Sequence, residues 1–141
     1  MATLARAMAI ACTEFEHKVD KGGRPYAEHC MVVAEGVRHL GDEYMIVGWL
    51  HDLVEDTCWT LEMLADEGFS EAVIKSISIM THSDDDDYLT VYIKEVSTDK
   101  MASAVKKSDL THNMDIKRLK GLRKKDFDRL EKYARAYTYL S

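Results

Sequence analysis

A chain of 141 residues, 46% hydrophobic and 31% charged, with one proline and seven glycines, has the size and balance of a single domain, 1–141, without low-complexity tails. Its formal net charge of −6 argues against binding a nucleic-acid polymer, which needs a basic face to displace counterions, but leaves open a small nucleotide that meets a cation and a few Lys or Arg in one cleft. No apolar run approaches the roughly 20 residues of a membrane span; Met1–Arg6 lacks a signal-peptide pattern; and three Cys without CxxC spacing fit reduced thiols, so a cytoplasmic location is expected.

Almost every segment carries the helical period, and none alternates over strand length. Leu4, Met8, Ala11, Cys12 and Phe15 form one apolar stripe, predicting a first helix over 3–18. The run Asp20-Lys21-Gly22-Gly23-Arg24-Pro25 breaks it, and Pro25 presets the start of a second helix over 26–40, with Ala27, Met31, Ala34 and Val37 inward and Gly41 as its stop. A third helix, about 42–55, is apolar nearly all round through Met45–Leu50 and belongs in the middle of a bundle. Thr60 caps a short helix closed by Gly68, and Ser70 caps another reaching Met80. After a polar loop over 81–87, helices are expected at about 88–96, 99–114 and 125–140. The expected architecture is an all-α, compact single-domain bundle of about seven or eight helices.

Polar residues interrupt this pattern where burial is required. After Trp49-Leu50 come His51-Asp52-Leu53-Val54-Glu55-Asp56, four ionisable groups at the end of the most hydrophobic helix. Buried charges need partners or a cation. On a continuous helix His51 stacks over Glu55 and Asp52 over Asp56, two adjacent polar columns with the second pair of carboxylates facing a substrate. The bland reading is a helix end fraying into solvent. Two further donors weigh against it: His29 among Ala27, Met31, Val32 and Val33, and Asp109 within a helix that packs centrally. Two imidazoles and two carboxylates suit Mn, Fe, Co, Ni or Zn, and the absence of thiolate points to a catalytic centre rather than a structural one. Such a cation lowers the pKa of bound water and offsets charge on a phosphoryl group.

Three motifs in order resemble the HD superfamily, and within it the hydrolase domain of the RelA/SpoT group and the small alarmone hydrolases. They are His17-Lys18-Val19-Asp20-Lys21-Gly22-Gly23-Arg24-Pro25-Tyr26-Ala27-Glu28-His29, His51-Asp52-Leu53-Val54-Glu55-Asp56-Thr57, and Lys106-Lys107-Ser108-Asp109-Leu110-Thr111-His112-Asn113-Met114. The resemblance implies the HD-domain bundle and one divalent metal ion, Mn²⁺ in most of the group, held by His29, His51, Asp52 and Asp109. It implies that Glu55 and Asp56 activate or orient the attacking water, Glu55 as the base. Asn113 matches a residue near the nucleotide, and Lys21 falls in a basic loop that meets phosphate or stacks on a base. The implied reaction removes the 3′-pyrophosphate of (p)ppGpp to give GDP or GTP.

The pattern departs from the family in three places. The basic loop is two residues shorter than in the bifunctional enzymes, Cys30 stands where Pro is usual, and Asp84–Asp87 follow Thr81-His82-Ser83 where Lys or Arg is common. An acidic run beside a cleft would repel a polyphosphate; a solvated loop turned away is the bland reading. His112 reads as a hydrogen-bonding neighbour of the ligands. Lys106 and Tyr92 are further candidates for substrate contact, against an exposed lysine and a packing tyrosine. Tyr133, Tyr137 and Tyr139 close the bundle or form a homodimer surface. The alternatives are an HD phosphohydrolase of another nucleotide or small phosphorylated metabolite and, from another class, a non-catalytic nucleotide-sensing HD protein.

Overall fold

A computed structural model describes all 141 residues, and its regular elements are all helical, with one isolated bridge between Val19 and Pro25. The α-helices are α1 (Leu4–Glu14), α2 (Tyr26–Gly36), α3 (Asp42–Leu50), α4 (Leu53–Asp56), α5 (Leu61–Glu67), α6 (Glu71–Met80), α7 (Lys94–Val96), α8 (Lys100–Asn113) and α9 (Lys124–Leu140). Single turns of 3₁₀ geometry at Arg38–Leu40 and Ile116–Arg118, and a π turn at Tyr88–Ile93 leading into α7, complete the set. No helix is long and apolar enough to cross a membrane.

Helix α3 is the axis of the bundle. Met45 through Leu50 are all buried, and α1, α2, α6 and α8 pack around them. Each fully buried Leu, Ile, Val or Phe contributes about 1.5–3 kcal/mol of apolar transfer, and Phe15, Val33, Leu50, Ile77, Ile93 and Leu110 anchor that core. Helices α2 and α3 meet at Gly48: a Cβ there would lie 2.7 Å from Ala34 Cα, so only glycine allows the approach. At the other contact of α2, Ser108 Oγ donates to the Val33 carbonyl at 2.8 Å, and a Cβ on Gly36 would fall 2.1 Å from that oxygen.

The predicted caps hold. Thr60 Oγ1 accepts from Met63 N and Ser70 Oγ from Val73 N, each at 3.2 Å, and Gly68 closes α5 at φ 96°. Other expectations shift. The first helix ends at Glu14, where 3–18 was expected. Its buried side is Ala7, Ile10, Ala11 and Phe15, while Met8 and Cys12 are exposed. In α2 the inward residues are His29, Cys30, Val33 and Ala34, and Met31 is exposed. Ala11, Phe15, Ala34 and Val37 are inward as expected, whereas Met8, Cys12 and Met31 point out and Ala7, Ile10, His29, Cys30 and Val33 take the buried face. The second helix stops at Gly36 and the third at Leu50, the latter replaced by a turn through His51 and Asp52 into α4.

Candidate metal centre and substrate cavity

The break after α3 is what shapes the centre. The His51 ring donates through Nδ1 to the Gly48 carbonyl at 2.7 Å, a side-chain bond that competes with the helical ladder at the point where it stops. With Nδ1 so used, Nε2 is the ring nitrogen left to face the centre. It is buried and has no hydrogen-bond partner, yet Asp52 Oδ2 lies 3.0 Å and Asp109 Oδ1 3.4 Å away. His29 on α2 brings Nε2 to 2.9 Å from Asp109 Oδ1. One ligand atom each from His29, His51 and Asp52 falls within 4.8 Å of the others, and Asp109 from α8 joins through both imidazoles.

The electrostatics describe a place for positive charge. Burial works against an ionised Asp109, but Lys106 and His51 outweigh it and hold its carboxyl well below the usual carboxylate range. Burial likewise opposes Asp52, yet His51 and the Tyr26 hydroxyl, which donates to Oδ2, bring it to about 2. His51 is desolvated, which lowers its pKa, and the two carboxylates raise it well above normal. Two ionised oxygens thus converge on His51 Nε2 inside the bundle, and the raised His51 pKa reflects the pull of their charge on any cation there. The donor set fits a divalent cation of borderline hardness, which would satisfy all of them at once.

A second layer of side chains holds the candidate ligands. His112 Nδ1 lies 2.7 Å from His29 Nδ1, Lys106 Nζ donates to Asp109 Oδ2 at 3.0 Å, and Asn113 Nδ2 donates to Asp109 Oδ1 at 3.0 Å. Of the expected substrate contacts, Lys106 is therefore committed to Asp109. Tyr92 is buried, donates its hydroxyl to the Met80 carbonyl at 2.6 Å, and packs its ring against Lys106. Its packing, and not a free face, accounts for it.

Glu55 and Asp56 do not continue columns begun by His51 and Asp52, because the helix is interrupted between them. Glu55 accepts the His82 backbone N–H at 2.7 Å, while Asp56 accepts Lys18 Nζ at 2.8 Å on the side of the 15–26 loop. Burial first, then Asp52 and Asp56, raises the Glu55 pKa above its ordinary value.

A cavity of about 310 Å³ adjoins the centre at Tyr26, His29 and Asn113 and is walled by Lys21, Arg118 and Arg129. Asp84–Asp87 are exposed and none of them lines it; Asp87 instead caps the following turn, accepting from Thr90 N at 2.8 Å. Sequence reasoning missed Tyr26, Arg118 and Arg129 as parts of the site. Arg118 binds Asp20 at 2.7 Å and the His112 carbonyl at 2.9 Å, which ties the Lys21 loop to the end of α8. Tyr26 carried the one usable signal, an aromatic hydroxyl one turn before the buried His29.

No family model matches the chain. It is 27% identical over 124 residues to a probable GTP pyrophosphokinase of Mycobacterium leprae, covering 81% of this chain and 16% of that protein. The chain thus spans a small part of the relative it matches. Its fold is that of a metazoan ortholog of SpoT that hydrolyzes ppGpp and plays a role in starvation responses, with a TM-score of 0.82 at 18% identity over 99% of this chain and 85% of that one.

Proposed function

We propose that the protein is a divalent-metal-dependent pyrophosphohydrolase of guanosine 3′,5′-polyphosphates, releasing pyrophosphate from (p)ppGpp and leaving GDP or GTP. The observation that carries the reading is the buried His51 Nε2, without a hydrogen-bond partner and facing Asp52 and Asp109, beside a cavity walled by Lys21, Arg118 and Arg129 on an acidic chain. The sequence likeness to a GTP pyrophosphokinase and the fold shared with a ppGpp hydrolase support it.

His29, His51, Asp52 and Asp109 would hold the cation, Mn²⁺ in this reading. When bound, it supplies Lewis-acid charge to the phosphoryl group and acidifies water. The rest is the work of the side chains. Lys21, Arg118 and Arg129 draw in the phosphates, and Asn113, held at Asp109 Oδ1, stands at the nucleotide. Glu55 takes a proton from the attacking water as its oxygen bonds to the phosphorus on the 3′ oxygen. That P–O bond breaks, and the 3′ oxygen leaves with the bonding pair and takes the proton that Glu55 received, which returns the base to its ionised form. Asp56 holds Lys18 and with it the wall formed by the Tyr26 ring, 4.2 Å from Lys18 Nζ.

Incubating the Mn²⁺-loaded protein with guanosine tetraphosphate and, separately, with nucleoside monophosphates tests this. Pyrophosphate and GDP from the first are expected. Orthophosphate from the second alone would make it a phosphatase of another metabolite, and binding without turnover would make it a sensor.

A further inference from the structure

Beyond Lys21 the first cavity is adjoined by another. A second hollow of about 430 Å³ shares Lys21, Leu119, Asp126 and Arg129 with the first and extends it to Lys120, Arg123 and Lys125. Five cations and one carboxylate line it. Asp126 is already spent: it is ion-paired with Arg129 and accepts the Arg123 backbone N–H at 2.8 Å. Lys21, Lys120, Arg123 and Lys125 have no acidic partner, although the whole chain carries 25 acidic residues against 19 basic ones.

The placement also breaks a local rule. Arg123, Lys124 and Lys125 open the 17-residue helix α9, where the macrodipole favours acids and disfavours cations by about 0.3–1 kcal/mol each. The Lys21 ammonium is depressed by burial and by Arg129, with Lys125 and Lys132 adding to it, and Asp126 offsets only part of this crowding of like charges. Arrangements that cost folding stability concentrate where a ligand repays them.

We propose that Lys120, Arg123 and Lys125 are specificity determinants that grip a second phosphate chain of the substrate, the one remote from the bond that is cut. This rests on the hydrolase reading above and adds to it which residues of this chain read the far end. A nucleotide with phosphate chains at two positions spans both hollows, its cleaved end at His29 and Asn113 and its other end at the start of α9. A substrate with one chain fills only the inner hollow.

The test is the triple variant K120Q/R123Q/K125Q, assayed on guanosine tetraphosphate and on guanosine 3′-pyrophosphate, which lacks the 5′ phosphates. Lost charge-assisted bonds are worth about ten-fold or more in affinity. The variant should raise KM for the first by at least about ten-fold with kcat little changed, and raise it far less for the second. An equal rise for both, or none for either, overturns the proposal.

Calorimetric titration of wild type and variant with non-hydrolysed guanosine polyphosphate and with inorganic pyrophosphate separates this from failure of the hydrolase reading. Charge-dependent binding of the nucleotide without any turnover would sink the hydrolase reading and keep the trough. Pyrophosphate that binds at Lys120, Arg123 and Lys125 without competing with the nucleotide marks an independent anion site, and the proposal falls.

Discussion

His29 and His112 meet nitrogen to nitrogen, Nδ1 to Nδ1 at 2.7 Å, with their rings stacked 5.0 Å apart. One of the two must donate and the other accept. Burial, then Arg118 and His29, depresses the His112 pKa to about 4, so His112 is neutral near pH 7 and is the natural acceptor. With a cation bound, His29 would donate from Nδ1 to His112 and turn its Nε2 lone pair to the metal beside Asp109 Oδ1, which lies 2.9 Å away. The pair sets a tautomer, which is how ligands are usually oriented from behind.

The first prediction tests that tautomer. His112→Phe keeps the ring volume and removes the acceptor, so the protein should fold while its Mn²⁺ affinity falls by about 10–100-fold. His112→Asn, which keeps an acceptor, should recover part of the loss. Competition against a metal indicator measures both. Equal affinities for wild type and His112→Phe would show that the imidazole pair does not tune the centre.

The candidate ligands are legible in the sequence because a buried His or Asp is conspicuous against an apolar helix. His29, His51, Asp52 and Asp109 were each readable in that way, and the structure brings them together. The path of the chain between them was not. Nothing in His51-Asp52-Leu53 marks a helix break, because the break comes from a ring bonding back to the Gly48 carbonyl, a tertiary choice that periodicity does not encode. The faces of α1 and α2 slipped by part of a turn: Met8, Cys12 and Met31 were expected inward and are exposed, while Ala34, which meets Gly48, is inward as expected. The cavity walls Arg118 and Arg129 look like ordinary surface cations until the turn after α8 folds back on Lys21.

The second prediction concerns Lys106 and Asp109, whose side chains are 12% and 5% exposed. Asp109→Ala leaves the Lys106 ammonium buried without its partner, which should cost about 3–5 kcal/mol by urea unfolding. Adding Lys106→Met removes the orphaned charge and should return most of that stability, while metal binding stays lost. A double variant as unstable as Asp109→Ala would mean that Lys106 is not the source of the cost.

The third concerns Gly48. Gly48→Ala inserts a Cβ 2.7 Å from Ala34 Cα, backbone that cannot swing away as a side chain would. Overpacking of this kind costs about 1–3 kcal/mol. Because α2 carries His29 and Gly48 anchors the His51 ring, metal affinity should fall together with stability. Ala34→Gly should not recover either loss, because glycine keeps the Cα and N that the new Cβ meets at 2.7 and 3.0 Å; if Gly48→Ala alone is neutral in Tm, the close approach is not a constraint.

The fourth is a pH profile. Burial, with Asp52 and Asp56 nearby, lifts Glu55 above the ordinary 4.5 of a glutamate. A base works only when ionised, so a raised pKa moves the acid limb of kcat/KM upward and costs activity on the low-pH side, not the high. Glu55→Gln should lower kcat by about 10²–10⁴-fold and erase that limb while circular dichroism stays unchanged. A variant that retains both rate and limb would remove Glu55 from the reaction.

Removing the cation gives the fifth. With no metal, Asp52 and Asp109 face the centre as two carboxylates beside His51, and only Lys106, Tyr26, Asn113 and the imidazoles offset their charge. A ligand at 100 times its Kd adds about 2.7 kcal/mol to the folded state, and for a domain of this size each kcal/mol moves Tm by roughly 3–4 °C. Dialysis against a chelator should therefore lower Tm by roughly 8–10 °C, and Mn²⁺ should restore it, whereas Mg²⁺, which prefers oxygen ligands, should restore less. His51→Ala should show no metal-dependent shift, because its Nε2 is the atom around which the other ligands gather. A shift that survives in His51→Ala would place the cation elsewhere in the protein.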